Sequence, residues 1–268
     1  MRPGRLLIAA GLAVAAAATA ALLASGSFRG ERGELLPDLD QVAPGELSGR
    51  TVGAPDDPRF YLGFESAAEN VGDGPLIVRG SRPDVEVREL GVTQQIRSDD
   101  GTTRSMPVPA TLLYVRSSDH EHWHLLDFMS YELRRADGTL VAPDQKTGFC
   151  LGDRYEVLRP LRGAKPTPTY TDECGKGNRQ LLQLIEGISV GYGDNYEPHL
   201  EGQNFDITTL RAGRYLLVHR VNKARAIRES NYENNASSMA FELAWPNGTK
   251  APPSVDVIRR CPDKATCS

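Results

Sequence analysis

The sequence predicts an all-β protein, an antiparallel β-sandwich with long loops and at most a short helix. Apolar and polar residues alternate over short runs, as in residues 59–80. Turn formers break these runs at Asn70–Gly74, Gly80 and Asp137–Gly138. Period-two runs separated by turns roughly every ten residues are the pattern of a sandwich. Only "NRQLLQLIEGIS" (178–189) reads as a short helix.

The chain has 268 residues, 40% hydrophobic and 25% charged, the composition of a globular protein. Residues 1–26 open with Arg2 and Arg5 and continue as an uncharged run of Ala and Leu. This reads as a signal peptide, or as a signal anchor because the run is long enough to span a bilayer. Residues 27–58, rich in Gly, Pro and acids, read as an irregular lead-in. Residues 59–246 read as one β-sandwich domain. They carry the strand runs "VEVREL", "ATLLYVRS", "MSYELRRADGTLV" and, from Phe205 to Trp245, strand, glycine turn, strand, loop and strand. Residues 247–268 form a Pro- and Cys-containing tail. No repeat is visible.

The formal net charge is −4, with 31 basic and 35 acidic residues. No basic block suggests nucleic acid. Membrane contact is expected only if the N-terminal segment stays uncleaved. The four cysteines fit an oxidising compartment, so the protein is expected to be secreted, or anchored at the cell surface. Cys150–Cys174 and Cys261–Cys267 are the favoured pairs of the three possible pairings.

Three of the five histidines stand in "DHEHWHLLDF" (119–128) at His120, His122 and His124. In a strand these side chains share one face, while Glu121, Trp123 and Leu125 take the other. The outer Cα atoms would be about 13 Å apart, at ~3.3 Å per residue. Imidazoles can converge across that distance on a twisted strand. Three neutral imidazoles with an open position suit copper or zinc. Asp127 reads either as a carboxylate orienting an imidazole or as a plain surface acid. Ligand type alone leaves three functions open: a redox enzyme, a zinc hydrolase and a non-catalytic secreted module that binds copper or zinc.

The histidine run resembles the copper segment of the lysyl oxidase family, His-x-His-x-His followed by an acid and Phe. The likeness continues in order through "KTGFCLGD" (146–153), "GISVGYGDNYEPHLEGQNFDIT" (187–208), "AGRYLLVHRVN" and "RESNYENN". A weaker match is "PDL" at 37–39. The resemblance implies a copper-dependent amine oxidase of lysyl oxidase type. Its self-derived cofactor, lysine tyrosylquinone, would join Lys146, four residues before Cys150, to Tyr196, seven before Gln203. A primary amine would condense with the quinone carbonyl, a covalent route to amine activation. Aldehyde, hydrogen peroxide and ammonia would leave, with oxygen as acceptor. The substrate would be small alkylamines or lysine side chains of exported proteins. The base could be Asp127, Asp194, His199 or Glu201. His219 reads as a strand-surface residue.

The resemblance also implies a calcium site built from Asp38, the Leu39 carbonyl, Glu229, Asn231, Asn234 and Asn235. These are hard oxygen donors of the kind calcium takes, although the same asparagines would serve a plain connecting loop. Asn231 stands where the family has Asp. The animal enzymes carry more cysteines, and their histidine after the Phe is Ser130 here, which leaves the substrate open; the high Ala, Arg, Gly and Pro content fits a bacterial-type member.

Overall fold

Nineteen strands, numbered along the chain, form four antiparallel sheets among residues 33–117, 121–143 and 148–267, which the computed structural model describes. The largest runs β12 (Gly148–Phe149), β9 (Glu121–Leu126), β8 (Thr103–Arg116), β7 (Glu89–Ser98), β6 (Leu76–Ser81) and β14 (Gln183–Ile188), with β1 (Glu34–Leu35) on β7. A second sheet runs β11 (Leu140–Pro143), β10 (Met129–Arg135), β17 (Gly213–Val221), β18 (Ala236–Ala244) and β19 (Ser254–Cys261). The third runs β13 (Tyr155–Glu156), β15 (Tyr192–Tyr196), β5 (Ser66–Asn70) and β2 (Leu39–Gln41). The fourth holds β16 (Asn204–Asp206), β4 (Asp57–Phe64) and β3 (Leu47–Ala54).

One core joins them. Leu90, Leu112 and Leu125 of the first sheet meet Tyr131, Leu217 and Phe241 of the second, Tyr196 of the third and Phe64 of the fourth. Each large side chain removed from water there contributes about 1.5–3 kcal/mol. The turn at Asp137–Gly138 forms as the sequence indicates. Gly138 takes φ 86°, and the Asp137 carboxylate accepts the Thr139 N–H at 2.8 Å.

Three segments differ from expectation. Residues 183–188 are strand β14, paired with β6 from Gln183↔Ser81 to Ile188↔Leu76, and no helix occurs among the described residues. The apolar run there is too short for periodicity to separate helix from strand, and β6 supplies the hydrogen bonds. The expected irregular lead-in carries β1, β2 and β3, and the tail carries β19. β1 and β2 pair with the distant β7 and β5, so local composition does not show them, whereas β3 and β19 pair with their chain neighbours β4 and β18. Both expected disulfides are present, Cys150–Cys174 and Cys261–Cys267. The signal segment 1–26 lies outside the described residues. Among those residues no helix is long and apolar enough to cross a membrane.

Candidate metal centre and buried tyrosine site

Strand β9 pairs with β8 along one edge, with Val115 opposite His122 and Leu113 opposite His124. Its other edge is shared. Near the start, the Trp123 N–H donates to the Cys174 carbonyl at 2.9 Å; near the end, β12 pairs Phe149 with Leu125. The Cys150–Cys174 disulfide ties these two flanks together. Strand alternation turns Trp123 into the core, fully buried, with its indole N–H on the Asn178 carbonyl at 3.0 Å. The Arg82 guanidinium stacks 5.0 Å from its ring centre.

The same alternation puts His122 and His124 together. Their Nε2 atoms are 2.7 Å apart and their ring centres 4.7 Å apart. His124 is buried and His122 half-buried. Two imidazoles bound to one metal at about 2.0–2.1 Å would hold their nitrogens roughly 3 Å apart. A slight rotation of either ring therefore satisfies a shared ion, and the donor set fits copper or zinc. His120 lies outside the described residues. Among those that are described, no cluster of three or more His, Cys, Asp or Glu gathers around one point.

Gly148 is what lets His124 lie so close to β12. A Cβ on Gly148 would stand 2.5 Å from His124 Cβ and 3.0 Å from its Nδ1. On the next residue, Phe149, the ring packs edge-on to Tyr196 with centres 5.0 Å apart. On the residue after that, the Cys150 carbonyl lies 2.9 Å from the Tyr196 hydroxyl. Three consecutive residues thus connect the histidine pair to Tyr196. Lys146 precedes Gly148 by two positions and lies outside the described residues.

Tyr196 is buried at the end of β15. Its hydroxyl is also 2.9 Å from Asp194 Oδ2. Burial first, and then the Asp194 charge and hydrogen bond, push its phenol well above the ordinary value. Arg154 Nε lies 3.6 Å from Asp194 Oδ1. Glu186 is wholly buried, accepts the Leu151 N–H at 3.1 Å, and is raised well above the usual carboxylate range, chiefly by burial. Arg154 and Glu186 were not singled out from sequence. Arg154 follows the "CLGD" motif and Glu186 falls in the segment read as helix, so neither had a visible partner.

Asp127 sits in a left-handed turn, φ 56°, between β9 and β10. Its side chain is exposed on a groove lined by Pro109, Thr111, Asn222 and Ala226, and it is not among the groups gathered at the imidazoles. His199 and Glu201 are exposed loop residues. His219 is an interior residue, not a surface one. It is fully buried between Phe64 and Tyr131, at 5.1 and 4.6 Å, and burial drops its pKa to about 3. The large aromatic neighbours leave it neutral.

The oxygen-rich segment does come together. Asn234 donates to Asp38 Oδ1 at 2.8 Å, and Asn231 to Asn234 Oδ1 at 3.0 Å. Glu229 is differently employed. Its two oxygens accept the Leu39 N–H at 2.8 Å and the Asn222 and Asn235 amides, both at 2.6 Å. Burial nevertheless lifts it to about 7.

Fold and site together define an antiparallel β protein with a pair of facing imidazoles close to a buried tyrosine–aspartate pair. The family model for lysyl oxidase matches residues 77–246, and the chain belongs to the lysyl oxidase family. Lysyl oxidase homolog 2 of Gallus gallus is 30% identical over 206 residues, 75% of this chain and 24% of that protein. Lysyl oxidase homolog 1 of Homo sapiens is 29% identical over 157 residues, 57% of this chain and 24% of its own length. Lysyl oxidase homolog 3B of Danio rerio is 31% identical over 128 residues, 46% of this chain and 14% of its own. The chain thus spans a quarter or less of these relatives.

Proposed function

We propose that this chain is an exported copper amine oxidase that converts primary amines to aldehydes, releasing hydrogen peroxide and ammonia. His120, His122 and His124 would hold the copper, and Lys146 and Tyr196 would supply the quinone. When bound, copper with dioxygen supplies the oxidising equivalents that make the tyrosine ring an electrophilic quinone. The observation that carries this reading is the connection through β12: Gly148 lies against His124, while Phe149 and the Cys150 carbonyl lie against Tyr196.

The chain's own residues have distinct tasks. His122 and His124 present neutral nitrogens from one rigid strand, the order a metal site needs. The disulfide keeps both flanks of that strand in place. Phe149 and the surrounding core exclude water from Tyr196, which strengthens the interactions around it. The two disulfides fit an oxidising compartment, and lysines of exported proteins or small alkylamines are the expected substrates. A calcium ion near Asp38 belongs to the same reading. It would rest on Asp38, Asn231, Asn234 and carbonyls such as that of Leu39, while Glu229 and Asn235 brace the loop through their mutual hydrogen bond.

The deciding experiment expresses the exported form with copper and air, digests it, and seeks by mass spectrometry one species joining the Lys146 and Tyr196 peptides. That species, with amine-dependent peroxide release, is the expected result. Intact separate peptides in a protein that demonstrably holds copper would replace the reading with a non-catalytic secreted metal-binding β-sandwich.

A further inference from the structure

We propose that Asp194 is the base that takes the phenol proton of Tyr196, and that Arg154 holds Asp194 anionic for the purpose; this rests on the quinone reading above. The hydroxyl of Tyr196 faces two acceptors at 2.9 Å, Asp194 Oδ2 and the Cys150 carbonyl. Only the carboxylate can carry the proton away. A hydroxyl donating to an ionised oxygen also makes the stronger bond. In the step the Tyr196 O–H bond breaks, the proton moves to Asp194 Oδ2, and the bonding pair stays on the phenolate oxygen. A phenolate gives up electrons to an oxidant far more readily than a phenol.

The surroundings suit this transfer. The Asp194 side chain is almost fully enclosed, at 1% exposure, so its charge needs a partner. Arg154 lies on the opposite oxygen at 3.6 Å and is itself 30% exposed. It also reaches Cys150 Sγ at 3.4 Å, which fixes its place. Glu186 is the other buried carboxyl nearby. Its Oε1 atom has no hydrogen-bond partner among the described residues. Like charges in a closed site oppose each other's ionisation. Burial, and then the Asp194 charge, raise Glu186 well above the usual carboxylate range, so Glu186 keeps its proton and leaves Asp194 the carboxylate that can accept one. The net charge of the Asp194–Tyr196 pair is the same before and after the proton moves, and little rearrangement is required.

The test uses the full exported chain, loaded with copper without air and then mixed with aerated buffer. Cross-link mass and quinone absorbance are followed between about pH 5 and pH 9 in the native protein and in D194N, D194E and R154M. D194N is expected to bind copper as the native chain does but to cross-link about 100-fold more slowly or worse, the scale of a lost general base. D194E should restore much of that rate. R154M should move the pH midpoint of cross-linking upward, because a carboxylate that loses a neighbouring guanidinium ionises later. Cross-linking of D194N at the native rate would overturn the proposal and leave the amine oxidase reading intact. Should D194N fail to fold, an R154M profile superimposable on the native one overturns it. A copper-loaded native chain that never cross-links overturns both.

Discussion

Replacing Gly148 with alanine should damage the metal site through a single methyl group. The new carbon would stand 2.5 Å from His124 Cβ and 3.0 Å from Cγ and Nδ1. Ordinary carbon contacts lie near 3.5–4.0 Å, so about 1 Å must be found. Neither side yields easily. His124 is held opposite Leu113 by β8, and β12 is held on β9 by Gly148↔Leu126 and Phe149↔Leu125. Overpacking of this kind costs about 1–3 kcal/mol. If His124 takes up the shift, its Nε2 leaves the 2.7 Å approach to His122. Disturbing the support of a metal ligand lowers affinity roughly 10- to 100-fold. Copper affinity measured by chelator competition, beside thermal unfolding of the metal-free protein, reads both effects. G49A is the control, since nothing stands within 4 Å of its new carbon. A G148A protein with native copper affinity and native Tm would refute the reasoning.

K146R and Y196F should each keep bound copper and lose amine oxidation; full turnover in either, followed as peroxide release, would remove that residue from the quinone. Glu132 governs part of the acid stability. Burial opposes its charge, but Lys223, Arg134 and Arg220, at 2.8, 2.8 and 3.0 Å, outweigh this and bring its pKa down from 4.5 to about 2. A depressed acid contributes stability above its unfolded pKa and loses it as pH falls through the folded one. E132Q should therefore cost about 1–3 kcal/mol at neutral pH, discounted because Lys223 is half exposed and screened. In urea titrations at several pH values that gap should close between about pH 4.5 and pH 2. Reduction of Cys150–Cys174 frees both flanks of β9 and removes a link that typically contributes about 2–4 kcal/mol. Copper affinity should drop in the C150S/C174S double variant, and an unchanged affinity would show that the disulfide does not order the histidines. EGTA should lower the Tm if calcium braces the Asp38 loop, and an untouched Tm would dismiss calcium.

The all-β class, the histidine strand and both disulfides were legible because each depends on local period or on few alternatives. Period two alone puts His122 and His124 on one face and Trp123 on the other, and the structure follows it. Long-range partners were not legible. β14 reads as helix until β6 lies beside it, and β1 and β2 depend on partners far along the chain. The hydrogen bonds of Glu229 to the Leu39 N–H and two asparagine amides were equally invisible, since they join residues up to 190 positions apart. His219 shows how far context governs a side chain, since Tyr215 to His219 are all buried and its own face turns inward between Phe64 and Tyr131.

By itself, then, the sequence determined which side chains share a strand face, which turns close and which family the motif order resembles. Only the tertiary structure decided what meets across strands: Gly148 against His124, Asp194 and the Cys150 carbonyl on the Tyr196 hydroxyl, and Arg154 beside Asp194. Alternation is a property of the backbone one residue at a time, whereas a hydrogen bond between residues 46 positions apart, such as Tyr196 to Cys150, exists only once the sheets have packed around a common core.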